Sequence, residues 1–168
     1  MKKIPKIIAL SRKEIESSQS LVSNIIISIR SPGSRRAIIG DNCPLDVLWL
    51  EFNDVDDQGR VWTFHGSMVI EAKLFSETEA KEVFEFVNKY KNQVELIICQ
   101  CEAGISRSSG MAAALCTILG DTEQDSEFWI GQNRYKPNAH VYRTMLEAAN
   151  MSLSNVYKEK QDDSQGID

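Results

Sequence analysis

The stretch IICQCEAGISRSSGMAAAL, from Ile97 to Leu115, contains the pattern that decides the fold class. It begins inside the apolar run VELIIC at Val94–Cys99, which predicts a central strand covered on both faces. The segment Arg107–Leu119 is helical by composition, and Gly120 is suited to a left-handed cap at its end. A strand, a short loop and a helix therefore follow one another, as in an α/β protein.

The same alternation of apolar runs and helical patterns extends along the rest of the chain. Ser76 followed by Glu79 predicts a capping box, and the apolar residues after it recur with a helical period. The other predicted elements are strands at Lys6–Leu10, Asn24–Ile29 and Asp46–Phe52, a short polar helix or turn after the first strand, and helices at Ser126–Tyr135 and Asn138–Ala149. We expect one α/β domain over residues 1–157, with a central, mostly parallel sheet flanked by helices, and a polar, frayed tail at 158–168.

The composition restricts the classes of partner and the compartment. A chain of 168 residues suits one domain, and its net charge of −5 argues against nucleic acid and anionic membranes as partners. The four cysteines lack the spacing of a disulfide framework, and both histidines lie far from them in sequence. Cys99 and Cys116 lie in apolar elements and are expected to be core residues. We therefore expect a cytoplasmic protein without a metal or another cofactor.

Cys101 and Arg107 stand at the two ends of the predicted loop, and their chemistry suits an anion. The first N–H groups of a helix lack internal partners and attract negative charge, so a cysteine beside them is favoured as a thiolate nucleophile. The planar guanidinium of Arg107 can hold two oxygens of a tetrahedral oxyanion. Gly104 permits a tight curl of the backbone, and Ser108 can donate a hydrogen bond to the sulfur. This pattern predicts a nucleophile inside a phosphate-binding loop.

The loop sequence CEAGISRS, Cys101–Ser108, closely resembles the active-site loop of cysteine-dependent protein tyrosine phosphatases, especially the compact dual-specificity enzymes. The segment LWLEFNDVDD is similar to their strand and acid-bearing loop, and YKPNAHVYRTML is similar to their final helix with its Pro-Asn pair. The resemblance covers about Leu48–Ala149 and extends to small bacterial members of the superfamily. It implies the protein tyrosine phosphatase fold.

The resemblance also implies a two-step hydrolysis of a phosphomonoester without metal. Cys101 attacks phosphorus to form phosphocysteine while an aspartic acid protonates the leaving oxygen, and water then releases phosphate with the same aspartate as base. Ser108 assists the departure of the sulfur. The phosphate is held by the Arg107 side chain and by the backbone of Glu102, Ala103, Gly104, Ile105, Ser106 and Arg107. The implied substrate is a phosphorylated protein or a small phosphomonoester, and nothing fixes the oligomeric state.

The chain departs from the family pattern at two points. Gln100 occupies the position of the family's histidine, which supports the loop and favours the thiolate. An amide can still hydrogen-bond to backbone, but it carries no charge. The second departure concerns the general acid, whose position is not fixed because Asp54, Asp56 and Asp57 all follow the strand that ends at Phe52. Asp54 matches the family position best.

Two other interpretations stay open. A catalytically weak phosphate-binding module of the same fold is favoured by Gln100 and by the open choice of acid, whereas the retained Cys101 and Arg107 argue against it. A phosphatase of a non-protein phosphomonoester, such as a phosphoinositide, is the other alternative. Such enzymes favour lysines within the loop, but this loop has none and carries Glu102.

Overall fold

A central parallel sheet organises the protein, for which a computed structural model describes residues 3–55, 60–61, 72–130 and 134–150. The strands are β1 Lys6–Ser11, β2 Asn24–Arg30, β3 Val47–Glu51 and β4 Leu96–Cys101. They form one sheet in the order β1-β4-β2-β3, and every neighbouring pair is parallel. The predicted α/β fold with a central parallel sheet is confirmed. The predicted tail at 158–168 lies outside the described residues.

Helices flank this sheet. They are α1 Arg12–Ser17, α2 Glu77–Tyr90, α3 Arg107–Leu119, α4 Thr122–Trp129 and α5 Ala139–Ala148, with a 3-10 turn at Gly40–Asn42. The first strand is followed by a short helix, as the sequence predicts. Where the chain is described, none of these helices is long and apolar enough to cross a membrane.

Local capping signals fix where two helices begin. At α1 the Ser11 hydroxyl accepts a hydrogen bond from the Glu14 N–H at 3.0 Å, and the Glu14 carboxylate accepts one from the Ser11 N–H. The capping box predicted from Ser76 and Glu79 is confirmed in the same form at α2. Each such cap is worth about 1 kcal/mol. Gly120 ends α3 in the left-handed region, with a φ of 82°, as predicted.

The prediction of a helix at Ser126–Tyr135 is wrong in its bounds, because α4 spans Thr122–Trp129. The Asp121 carboxylate accepts a hydrogen bond from the Gln124 N–H at 3.0 Å, and this cap starts α4 earlier than the apolar pattern indicates. Tyr135 is not helical and lies in the segment that leads to α5. The apolar residues assigned to one helix therefore belong to two separate segments.

The sheet separates two apolar layers. Along β4, Ile97 and Cys99 belong to the large core cluster with α2, α3, α4 and α5, whereas Ile98 belongs to a smaller cluster with Ile15 of α1. This alternation follows the period of two in a strand. Every residue of α3 from Arg107 to Cys116 is buried, so the helix that follows the loop is the central one.

The carboxyl ends of the strands meet at one edge of the sheet, which is where open α/β proteins bind ligands. β4 ends at Cys101, and α3 begins at Arg107. Ser31 follows β2, and Asp54 comes shortly after β3. Because β4 lies between β1 and β2, residues from both neighbours reach its loop.

Candidate active site

Carbonyl groups of the loop between β4 and α3 accept hydrogen bonds from neighbouring segments. The Glu102 carbonyl accepts a hydrogen bond from the Arg12 N–H at 3.1 Å, and the Ser106 carbonyl accepts one from the Asn138 N–H at 3.0 Å. Within the described residues, none of the backbone N–H groups from Glu102 to Arg107 donates a hydrogen bond. Since backbone donors need partners, this arrangement offers a row of them to an anion.

Gly104 is required by a close approach of two backbones. Its φ is +68°, a left-handed conformation that other residues rarely adopt. A Cβ at this position would lie 2.4 Å from the backbone N of Ser11 and 2.7 Å from the carbonyl C of Leu10. The tight curl predicted from the sequence is therefore present, and the loop packs directly on the end of β1.

Cys101 is the last residue of β4, directly before the loop, and is 2% exposed. Its Sγ is 3.1 Å from the Oγ of Ser108 in the first turn of α3. The Ser108 hydroxyl can therefore donate a hydrogen bond to a thiolate. The N-cap residue of α3, Ser106, makes no side-chain capping bond, so the positive end of the helix dipole is left for a bound anion.

The guanidinium of Arg107 is anchored through one nitrogen. Nη1 donates to the backbone O of Phe52 at 2.8 Å and to the Oγ of Ser31 at 2.9 Å. The residue is 5% exposed, and its Nε is buried without a hydrogen-bond partner in the described part of the chain. A guanidinium can donate two parallel bonds from Nε and Nη2, so this edge suits two oxygens of one oxyanion.

The other three cysteines have different environments. Cys99 and Cys116 are completely buried, as expected for core residues. Burial raises the pKa of the Cys99 thiol well above its usual value, and burial together with the charge of Asp125 raises the pKa of Cys116 to about 12. Cys43 is exposed and lies beside the 3-10 turn. Of the four, only Cys101 lies at the loop.

Gln100 supports the loop through neutral hydrogen bonds. Its Nε2 donates to the Cys101 carbonyl at 2.8 Å, and its Oε1 accepts a bond from the Ser28 hydroxyl on β2. Gln100 is 1% exposed. The bond to backbone that the sequence allowed at this position is therefore made.

Asp54 lies beside the loop and is bonded to one of its residues. Its Oδ1 accepts hydrogen bonds from the Ser106 hydroxyl and from the Asn138 amide, both at 2.7 Å. The same amide also donates to the Val55 carbonyl at 3.0 Å, which fixes the backbone after Asp54. The two alternative acids, at positions 56 and 57, lie outside the described residues.

Asn138 and Gly110 are site residues to which the sequence reasoning assigned no role. A Cβ on Gly110 would lie 2.8 Å from both the backbone N and the backbone O of Asn138, so the glycine lets this segment rest on α3. Asn138 also caps α5, because its Oδ1 accepts from the Val141 N–H at 3.0 Å. A glycine inside a helix costs about 1 kcal/mol relative to alanine, which was the available signal of a packing role.

A cleft of about 580 Å³ opens beside the loop on the side of Asp54. The Trp129 indole N–H donates to the Asp125 carboxylate at 3.0 Å, and the ring packs edge-on against Tyr142 with 5.0 Å between centroids. Trp129 is nevertheless 46% exposed, so it presents a fixed aromatic surface. The lining includes Asp54, Ile105, Ser106, Trp129, Tyr135 and Lys136.

Several solved structures are similar to this chain over most of its length. The crystal structure of PTPMT1 has 13% sequence identity and a TM-score of 0.50, covering 93% of this chain and 95% of that chain. PTPMT1 in complex with PI(5)P matches at 14% identity and a TM-score of 0.48, covering 82% and 81%. The human tyrosine phosphatase-like serine/threonine/tyrosine-interacting protein matches at 18% identity and a TM-score of 0.46, covering 81% and 79%. No family model and no curated protein matches the chain.

The match to PTPMT1 over nearly the whole of both chains shows that this protein has a protein tyrosine phosphatase-like fold, as the sequence predicted. At this level of identity the likeness concerns the fold alone. In the described ranges, no group of three or more histidine, cysteine, aspartate and glutamate side chains is placed to hold a metal ion.

Proposed function

We propose that the protein is a phosphomonoesterase that forms a phosphocysteine intermediate and acts on phosphorylated protein, of the tyrosine or dual-specificity type. The observation that supports this most is the loop itself. Cys101 is buried directly before the loop, and within the described residues neither the loop N–H groups from Glu102 to Arg107 nor the Nε of Arg107 has a hydrogen-bond partner. In the proposed reaction these donors stabilise the negative charge of the transferred phosphoryl group.

In the first step, the Cys101 thiolate attacks phosphorus. An S–P bond forms, and the P–O bond to the leaving group breaks. Asp54 enters this step protonated and gives its proton to the departing oxygen. The loop N–H groups and the Nε and Nη2 edge of Arg107 hold the remaining phosphate oxygens throughout.

In the second step, water attacks the phosphocysteine, and the Asp54 carboxylate takes its proton. The new O–P bond forms while the S–P bond breaks, which releases phosphate and returns the Cys101 thiolate. The Ser108 hydroxyl, 3.1 Å from Sγ, stabilises the leaving sulfur by donating to it. Asp54 ends the cycle protonated and ready for the next ester.

The lining of the cleft favours a substrate with a bulky, aromatic leaving group, such as the tyrosine side chain of a protein. Trp129 and the 37% exposed Ile105 supply apolar surface beside the loop, and Lys136 supplies a positive charge on the same lining. The loop carries the acidic Glu102 and no lysine, which disfavours highly phosphorylated headgroups.

The test is hydrolysis of p-nitrophenyl phosphate and of a phosphotyrosine peptide in the presence of a metal chelator. We expect both to be hydrolysed, with competitive inhibition by orthovanadate. Cys43→Ser, which changes an exposed thiol, should retain full activity and serves as the control. Binding of tungstate without hydrolysis of either ester would refute the enzyme and identify a phosphate-binding module.

A further inference from the structure

A second buried polar residue, Ser28, is hydrogen-bonded to Gln100. Ser28 lies on β2 and is the direct partner of Gln100 in the parallel register between β2 and β4. Ser28 is 3% exposed and Gln100 is 1% exposed, so their side chains meet away from water. A buried hydroxyl and a buried amide must satisfy each other or lose stability.

The hydrogen bonds of this pair have a fixed direction. The Cys101 carbonyl can only accept, so Gln100 presents its Nε2 to it, at 2.8 Å. The Gln100 Oε1 then faces Ser28, whose hydroxyl donates to it. The flipped amide would set two carbonyl oxygens against each other. The Ser28 hydroxyl therefore favours the one orientation that supports the cysteine.

We propose that Ser28 is a positioning residue, which acts through Gln100 to hold the Cys101 peptide group where β4 becomes the loop. The inference rests on the proposed function, because it concerns the same nucleophile. Ser28 lies on β2, outside the proposed phosphate-binding loop; its hydroxyl orients the Gln100 amide, which in turn holds the Cys101 carbonyl. Unlike a histidine, whose charge changes between about pH 5 and 8, this pair stays neutral over that range.

The chain contains a matched control for this pair. At the 3-10 turn the Ser18 hydroxyl donates to the Asn42 Oδ1 at 3.1 Å, and the Asn42 Nδ2 donates to the Ile15 carbonyl at 2.9 Å. This is the same hydroxyl–amide–carbonyl series, built on residues outside the active-site loop. Ser18→Ala therefore removes a partly buried hydroxyl–amide hydrogen bond of the same chemical type without touching the cysteine.

The experiment measures tungstate affinity as protection of Cys101 from iodoacetamide, followed by mass spectrometry of its peptide, together with kcat for p-nitrophenyl phosphate. We expect Ser28→Ala to weaken tungstate binding and lower kcat by about tenfold, the effect of a lost buried hydrogen bond. Ser28→Thr, which keeps the hydroxyl, should stay within about threefold of the wild type. Ser18→Ala should change neither value.

A double-mutant cycle shows whether Ser28 acts through Gln100. Gln100→Ala should have at least the effect of Ser28→Ala, and the double variant should be no worse than Gln100→Ala alone. Additive effects, or equal effects of Ser28→Ala and Ser18→Ala, would overturn the proposal. The Gln100→His variant should gain a step in tungstate affinity between about pH 5 and 8 that the wild type lacks.

The two proposals can fail separately. A wild-type protein that binds tungstate but hydrolyses nothing refutes the enzyme, while the affinity measurements still decide the role of Ser28. A wild-type protein whose Cys101 is not protected by tungstate refutes both.

Discussion

The two sides of the loop differ in how they are built. The strand side, formed by Ser28, Gln100, Cys101, Arg107 and Ser108, is at most 5% exposed and is held by two strands and a buried helix. The cleft side is formed by Asp54, Ser106, Asn138 and Trp129 and includes half-exposed residues. Hydrogen bonds from Ser106 and Asn138 to Asp54 join separate segments there, whereas Trp129 is bonded to Asp125 of its own helix. Cys101, the proposed nucleophile, is therefore part of the core, whereas Asp54, the proposed acid, is only partly buried.

This difference predicts that substitutions on the two sides have different effects on activity and on stability. A change on the strand side removes a group that the transition state needs or leaves a buried polar atom unpaired. A change on the cleft side mainly alters proton transfer and contact with the leaving group, because Asp54 and Trp129 are not fully buried. Asn138, which is 5% exposed, is the exception on this side. The following predictions test the comparison in order of decreasing effect.

Cys101→Ser should abolish turnover and keep oxyanion binding. The serine hydroxyl stays protonated at neutral pH, whereas the loop N–H groups and Arg107 remain. Activity is measured with p-nitrophenyl phosphate, and binding is measured by calorimetry with tungstate. Turnover near that of the wild type would contradict Cys101 as the nucleophile.

Arg107→Lys should lower kcat/KM by about 10,000-fold, since each donor to the transition state is worth at least about 100-fold and the Nε and Nη2 edge provides two. An ammonium cannot hold Ser31 and Phe52 and also present a planar fork. Steady-state kinetics measure the loss. A decrease of less than tenfold would show that the guanidinium edge does not contact the phosphoryl group.

Asp54→Asn should lower kcat by about 100- to 10,000-fold for peptide or alkyl phosphates, as expected for loss of a general acid. The loss should be smaller for p-nitrophenyl phosphate, whose leaving group needs little protonation. The matched variants are Asp56→Asn and Asp57→Asn. If one of them shows this substrate dependence and Asp54→Asn does not, the acid has been assigned to the wrong residue.

Asn138→Ser should lower kcat for alkyl phosphates by about tenfold, with KM unchanged. Serine preserves the cap of α5 but is too short to donate to Asp54, so the variant removes the hydrogen bonds of the amide to the Asp54 carboxylate and to the Val55 carbonyl. Kinetics with alkyl and p-nitrophenyl phosphates measure this. An equal loss with both substrates would show a structural role rather than positioning of the acid.

The sequence predicted the features that depend on short segments. The loop from Cys101 to Ser108 and its junction with β4 and α3 follow from neighbouring residues. The capping box at Ser76 follows from a spacing of three positions. The alternation of predicted strands and helices along the chain indicated a parallel sheet for the same reason, because each element carries its own periodic signal.

Contacts between distant segments could not be predicted in this way. The Arg107 anchor joins residues after β2 and β3, and the Ser28–Gln100 pair depends on the order in which strands lie in the sheet. The bond from Asn138 to Asp54 likewise requires α5 to rest on Gly110. None of these leaves a periodic pattern, since each depends on one side chain meeting another across the fold.

The central claim is that Cys101 carries the phosphoryl group, and rapid acid quenching during turnover tests it most directly. With a phosphotyrosine peptide and the wild-type protein, we predict the mass of one phosphoryl group on the peptide that contains Cys101, with the modification at Cys101 and not at the buried Cys99. The label should be absent in Cys101→Ser and should persist longer in Asp54→Asn, which cannot activate water for the second step. Turnover without any phosphoryl group on Cys101 would contradict the account.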